Sequence, residues 1–111
     1  MGLNHYSSFG GLDTGTVEDC YNTGNVTSMG NHAGGVVGRN DYSGTVRNCN
    51  ARNVVVSANA GTDVGRIVGS NSSTGTLISN TASNVAVYSA GSPVTIPSNP
   101  TGDSIHGANS P

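Results

Sequence analysis

Three short words return in the same order about every 30 residues, and this beat is what most restricts how the 111-residue chain can fold. Gly44-Thr45-Val46-Arg47-Asn48-Cys49 is preceded 29 residues earlier by Gly15-Thr16-Val17-Glu18-Asp19-Cys20 and answered 31 residues later by Gly75-Thr76-Leu77-Ile78-Ser79-Asn80. Val36-Val37-Gly38-Arg39-Asn40 returns as Ile67-Val68-Gly69-Ser70-Asn71, and the third word is Asn25-Val26, Asn53-Val54 and Asn84-Val85. Each word is short, apolar and β-branched, and each is bounded by Gly, Asn, Ser or Asp, as strands between turns are. One such repeat cannot bury its apolar face alone, whereas stacked copies bury a continuous core. The spacing therefore predicts an all-β solenoid of about three coils, each with about three short strands, rising ~4.8 Å per coil. By analogy it is a right-handed parallel β-helix.

Stacking turns like residues into ladders. The predicted ladders are Val17, Val46 and Leu77; Val36 and Ile67; Cys20 and Cys49; and Asn25, Asn53 and Asn84. Val26, Val54 and Val85 enter the core, joined by Val56 and Val87. Asp19, Asn48 and Ser79 share a corner, because Val17 and Cys20 both point inward at a spacing of three, which strict alternation forbids. Glu18 lies beneath Arg47, an exposed pair worth at most ~1 kcal/mol. Arg66, standing where Gly35 stands one coil earlier, is expected to face solvent.

The words Gly34-Gly35-Val36-Val37-Gly38-Arg39-Asn40, Gly44-Thr45-Val46, Asn48-Cys49 and Asn53-Val54 together resemble the GLUG repeat, found in tandem in large secreted and surface-attached bacterial proteins. The likeness runs over residues 10 to 71 and fades after Asn80. It implies a β-helical segment of an extracellular, adhesin-like protein and supplies no catalytic residue.

The expected organisation is an N-terminal cap over residues 1–9, with Tyr6 and Phe9 covering the first coil, and a three-coil solenoid over 10–90. Its coils cover about 10–40, 41–71 and 72–90 plus the tail. A Pro-, Gly- and Ser-rich closing segment or linker follows over 91–111. Pro93, Pro97 and Pro100 cannot donate to a ladder. Ile105-His106-Gly107-Ala108-Asn109 echoes Ile67-Val68-Gly69-Ser70-Asn71, so the tail reads as a degenerate closing strand.

Composition narrows function. One Phe and no Trp rule out a thick aromatic core, and a net charge of −2 recommends neither nucleic acid nor an anionic membrane. No apolar run is long enough to span a bilayer as a helix. No signal peptide is visible at Met1-Gly2-Leu3-Asn4-His5. The cysteine pair has two readings, a reduced buried thiol ladder or a disulfide joining adjacent coils. Zinc would need further ligands.

Glycoside hydrolysis needs two convergent carboxylates, and Asp13, Glu18, Asp19, Asp41, Asp63 and Asp103 fall at different phases of the repeat. Asp103-Ser104-Ile105-His106 holds the residue types of a nucleophile site without an elbow to present them. Neither a catalytic residue nor a cofactor is expected. Thr16, Thr45 and Thr76 stack into a hydroxyl column resembling the faces of ice-binding solenoids, and Tyr42 stands ready as an exposed surface contact. The favoured reading is a non-catalytic structural or adhesive module of an extracellular or cell-surface assembly, self-associating as an oligomer or fibre. The alternative is a monomeric module that binds a glycan or protein.

Overall fold

The computed structural model describes the backbone of residues 3–5 and the whole of residues 15–110. The cap expected from Tyr6 and Phe9, and Asp13, lie outside the described residues.

Among the described residues, sixteen short strands wind into three stacked coils. The first coil contains β1 (Leu3–His5), β2 (Thr16–Glu18), β3 (Tyr21–Asn22), β4 (Val26–Ser28) and β5 (His32–Gly34). The second contains β6 (Val37–Asp41), β7 (Thr45–Arg47), β8 (Asn50–Arg52), β9 (Val55–Ala58) and β10 (Asp63–Gly65). The third contains β11 (Val68–Asn71), β12 (Thr76–Ile78), β13 (Thr81–Ser83) and β14 (Ala86–Ser89), followed by β15 (Ser92–Pro93) and β16 (Ala108–Asn109). No helix occurs among the described residues.

Each strand pairs in parallel with its equivalent one coil away, giving the sheets β1-β6-β11, β2-β7-β12, β3-β8-β13-β16 and β5-β10. The fifth sheet is β4-β9-β14-β15, in which only β15 runs antiparallel. A full coil thus has five strands instead of the three expected. Asp19, Asn48 and Ser79 take positive φ (55°, 52° and 54°), which turns the chain near the end of each word, and a further strand follows the word: β3, β8 or β13. Short polar residues tolerate that conformation where β-branched ones do not. The segments 32–34 and 63–65, too polar and glycine-rich to read as strands, are held as strands by the pairing of Val64 with Ala33.

The register follows the predicted beat. Val17, Val46 and Leu77 stack in one column, and Thr76 is paired with Thr45. Val37 pairs with Val68, and the N–H groups of Val36 and Val37 both reach the carbonyl of Ile67. Val26, Val56 and Val87 form another column. Val54 is buried too, but in a different column from Val26, because the first coil makes its third corner with one residue fewer. The core is a thin shaft of Val, Ala, Ile, Leu and Cys, with Val37, Val46, Ala51, Val56, Ile67 and Val68 fully buried.

Gly34 and Gly65 sit where the backbone packs closely on itself. A Cβ on Gly34 would lie 2.0 Å from the Val37 carbonyl oxygen, and one on Gly65 would lie 2.1 Å from that of Val68. The chain folds back so sharply there that no side chain fits.

After β14 the chain reverses through Ala90 and Gly91, both at positive φ (49° and 83°), in a two-residue hairpin. Pro93 lies on the outermost strand, where a missing N–H costs nothing. The tail then closes the third coil. Ile105 stands over Ile67, its carbonyl accepting from the N–H groups of Ile67 (2.9 Å) and Val68 (3.0 Å), so the column is Val36, Ile67, Ile105. The echo with residues 67–71 ends there, since Ala108 pairs with Thr81 rather than continuing beside β11. His106 and Gly107 link these two positions.

Candidate functional site

Polar groups within and around the shaft form three sets. The first set is a column at the corner after β2, β7 and β12. Its rungs are Cys20, Cys49 and Asn80, tied by Asn50 N–H to Cys20 O (2.9 Å) and Thr81 N–H to Cys49 O (2.9 Å). Asn80 is fully buried; its Oδ1 accepts from Cys49 N–H (3.0 Å) and its Nδ2 donates to Val46 O (3.0 Å). Cys49 is buried and Cys20 exposed, and both are free thiols. Burial pushes the Cys49 thiol above its ordinary value.

The second set is a buried asparagine corner between β6 and β7. Asn40 Nδ2 donates to Gly44 O (2.8 Å) and to Asn71 Oδ1 (2.8 Å), while Asn71 Nδ2 donates to Gly75 O (3.2 Å). A third lies before β9 and β14. Asn53 and Asn84 stack at φ 56° and 53°, with Asn84 Nδ2 donating to Asn53 Oδ1 (3.0 Å). Asn25, expected beneath Asn53, stands out of register and instead accepts from Val55 N–H through Oδ1 (2.8 Å). The cause is Asn22, which receives Gly24 N–H on Oδ1 (2.8 Å) and donates from Nδ2 to Gly35 O (2.8 Å), building a shorter corner from its own side chain.

Arg66 corrects a second expectation, for it is 6% exposed rather than solvent-facing. Its Nε donates to His106 O (2.9 Å) and one terminal nitrogen to Gly107 O (2.8 Å), pinning the tail across the coil. Arg66 N–H also approaches His106 Nδ1 (3.4 Å). Burial and the adjacent guanidinium hold His106 below its ordinary value, and burial lowers Arg66.

The outer surface carries the remaining charged groups. Arg47 sits over Glu18 with Nε 2.7 Å from Oε2. His32 Nε2 and Asp63 Oδ2 are 3.1 Å apart, as are Arg39 and Asp41 through their charged ends. Thr101 Oγ1 donates to Asp103 Oδ1, and Ser104 Oγ donates to Thr101 O (2.8 Å). Each of these carboxylates thus has a partner of its own in a different part of the coil. Thr16, Thr45 and Thr76 form one stacked column. Tyr42 is exposed at φ 50°, its carbonyl accepting from Ser72 Oγ (2.8 Å) and Thr74 Oγ1 (2.6 Å).

Shallow hollows flank the shaft's ends. One of about 580 Å³ is lined by Leu77, Ile78, Thr81, Gly102, Asp103 and Ala108. Another, of about 340 Å³, is lined by first-coil residues including Val17, Cys20, Tyr21 and Val26. The sequence gives Asn22 and the amide of Asn80 no role, and it foretells neither the burial of Arg66 nor its bond to the His106 carbonyl. Asn80 had a signal, since it stands at the cysteine phase of the repeat; Arg66 had none, because its partners lie 40 residues away in an irregular tail.

The GLUG motif matches residues 29–57, the stretch from just before β5 into β9. No curated protein and no solved structure matches the chain.

Proposed function

We propose that this β-solenoid, which carries a GLUG motif and is consistent with a GLUG-repeat protein, is a non-catalytic structural module of an extracellular or cell-surface bacterial assembly. The observation that carries the reading is where its buried polar side chains go. Asn40, Asn80 and Arg66 spend their hydrogen bonds on neighbouring coils or the tail, which is what a load-carrying shaft requires of them.

The ends differ in a way that bears on assembly. On the tail side, β15 and β16 lie over two of the five faces. On the other side, β2, β3, β4 and β5 each pair with a strand on one side only among the described residues. Strand edges of this kind recruit further strands. Self-association then proceeds through the first-coil end, and copies meeting there form a closed pair or small oligomer more readily than an open fibre. Sedimentation velocity over a range of concentrations tests this. The expected result is a concentration-dependent dimer or small oligomer that Thr27→Pro, which withdraws an N–H from the β4 edge, abolishes without changing the circular dichroism. A monomer at every concentration contradicts it.

The alternative, a monomeric module that binds a glycan or protein, is favoured by the hollow beside Asp103, whose lining of Leu77, Ile78 and Ala108 mixes an apolar floor with one carboxylate. A glycan array separates the two: retention of a sugar by a monomer supports binding.

A further inference from the structure

The rungs of the corner column share one posture. Asn80 reaches down a coil to the carbonyl of Val46, and Cys49 makes the same reach, its Sγ lying 3.7 Å from the carbonyl oxygen of Val17, the residue beneath Val46. The Cys49 sulfur is therefore directed at the first coil, in which Cys20 is the residue at the matching position of the repeat. Cys20 is held there by the 2.9 Å bond from Asn50 N–H to its carbonyl. The two thiols also match in attitude, each Sγ lying 3.2 Å from the carbonyl oxygen two residues earlier, Glu18 for Cys20 and Arg47 for Cys49. In-register neighbours on paired strands are ~4.8 Å apart, inside the ~4.4–6.8 Å Cα separation that a disulfide spans.

We propose that Cys20 and Cys49 are a modification site, oxidised by a low-molecular-weight disulfide such as oxidised glutathione to a covalent bond between the first and second coils. The bond is the covalent counterpart of the clasp that Asn80 makes between the second and third coils. Without it, this column joins the lower pair of coils by the main-chain bond and a weak thiol contact; with it, both coil junctions are clasped at the same corner.

Exposure sets the order of events. Cys20, the exposed thiol, attacks one sulfur of oxidised glutathione as its thiolate. The glutathione S–S bond breaks, and the departing glutathione thiolate takes up a proton. Cys49 then attacks the Cys20 sulfur of the mixed disulfide, and the second glutathione leaves with the proton of Cys49. Two electrons pass from the cysteine sulfurs to glutathione, so that two protein thiols and one disulfide become one protein disulfide and two glutathione thiols. The high proton affinity that burial confers on Cys49 makes the second step the slower one and leaves the first to Cys20. The inference rests on the register of the coils and is independent of whether copies associate.

The test treats the folded, reduced chain with oxidised glutathione, then measures intact mass, thiol accessibility after unfolding, and thermal stability. The expected product is monomeric, lighter by two hydrogens, without alkylatable thiol, and melts higher by more than about 5 °C until dithiothreitol reverses the change. Cys20→Ser, an exposed substitution that leaves the core intact, should remain alkylatable at Cys49 and show no rise. Three results overturn the proposal: a stable glutathione adduct on Cys20 with Cys49 still free, a disulfide-linked dimer, or an internal disulfide that forms only in urea or lowers the melting temperature.

Discussion

Asn80 is buried with both ends of its amide committed, to Cys49 N–H and Val46 O. Alanine there leaves a backbone donor and acceptor short of partners in a closed interior, at about 1–3 kcal/mol each before any cavity is counted. Asn80→Ala should accordingly lose about 2–4 kcal/mol in urea denaturation, and Asn84→Ala, at an exposed rung, well under half of that. His106 gives a pH-dependent counterpart. Its folded form holds a proton less readily than the unfolded chain, because burial and Arg66 oppose the charge. The stability that neutral His106 contributes is full above about pH 6.5 and is lost as pH falls below that toward its lower folded value. Thermal melts at pH 7.5 and pH 5 should show a larger loss for the native chain than for His106→Gln; equal losses would assign the effect to other groups. The cysteine column and the Glu18–Arg47 pair were legible in the sequence because they repeat. Arg66 was not, because a buried guanidinium bonded to the carbonyls of a non-repeating tail leaves no periodic trace.

At the scale of strands and corners, the fold depends on residues that turn the chain without side-chain bulk. Gly65 has no room for a methyl group beside the Val68 carbonyl, whereas Gly91, with open space around it, carries only the conformational cost of positive φ. Gly65→Ala should destabilise by about 2–3 kcal/mol or more, as overpacking does, and Gly91→Ala by about 1–2 kcal/mol, both measurable by chemical denaturation. The same scale explains what could not be read beforehand. Positive φ at Asp19, Asn48 and Ser79 turns the chain so that a further strand follows each word, and nothing in three dissimilar residues announces it except their shared phase. The slip at Asn25 arose likewise: aligning Asn-Val words assumed equal corners, while Asn22 makes the first one shorter through its own side chain. The ladders of Val17, Val46 and Leu77 and of Val36 and Ile67 lie away from that shortened corner and keep the expected register.

For the molecule as a whole, the consequence is two unlike ends. The tail is anchored by Ile105 over Ile67, Arg66 to Gly107, and β16 beside β13. Removing residues 98–111 strips these contacts and bares the third coil. The shortened chain is expected to assemble into elongated, concentration-dependent particles by light scattering where the full chain does not, since the third coil would then present unpaired edges, as the first coil does among the described residues.

All of this stands on coil-over-coil register, and methyl-resolved NOE spectroscopy of the full chain in solution measures that register directly. The account predicts contacts linking Val17 to Val46, Val46 to Leu77, Val56 to Val87, and Ile67 to Ile105. A spectrum in which these methyls meet only their sequence neighbours, or in which Val46 touches neither Val17 nor Leu77, would contradict it.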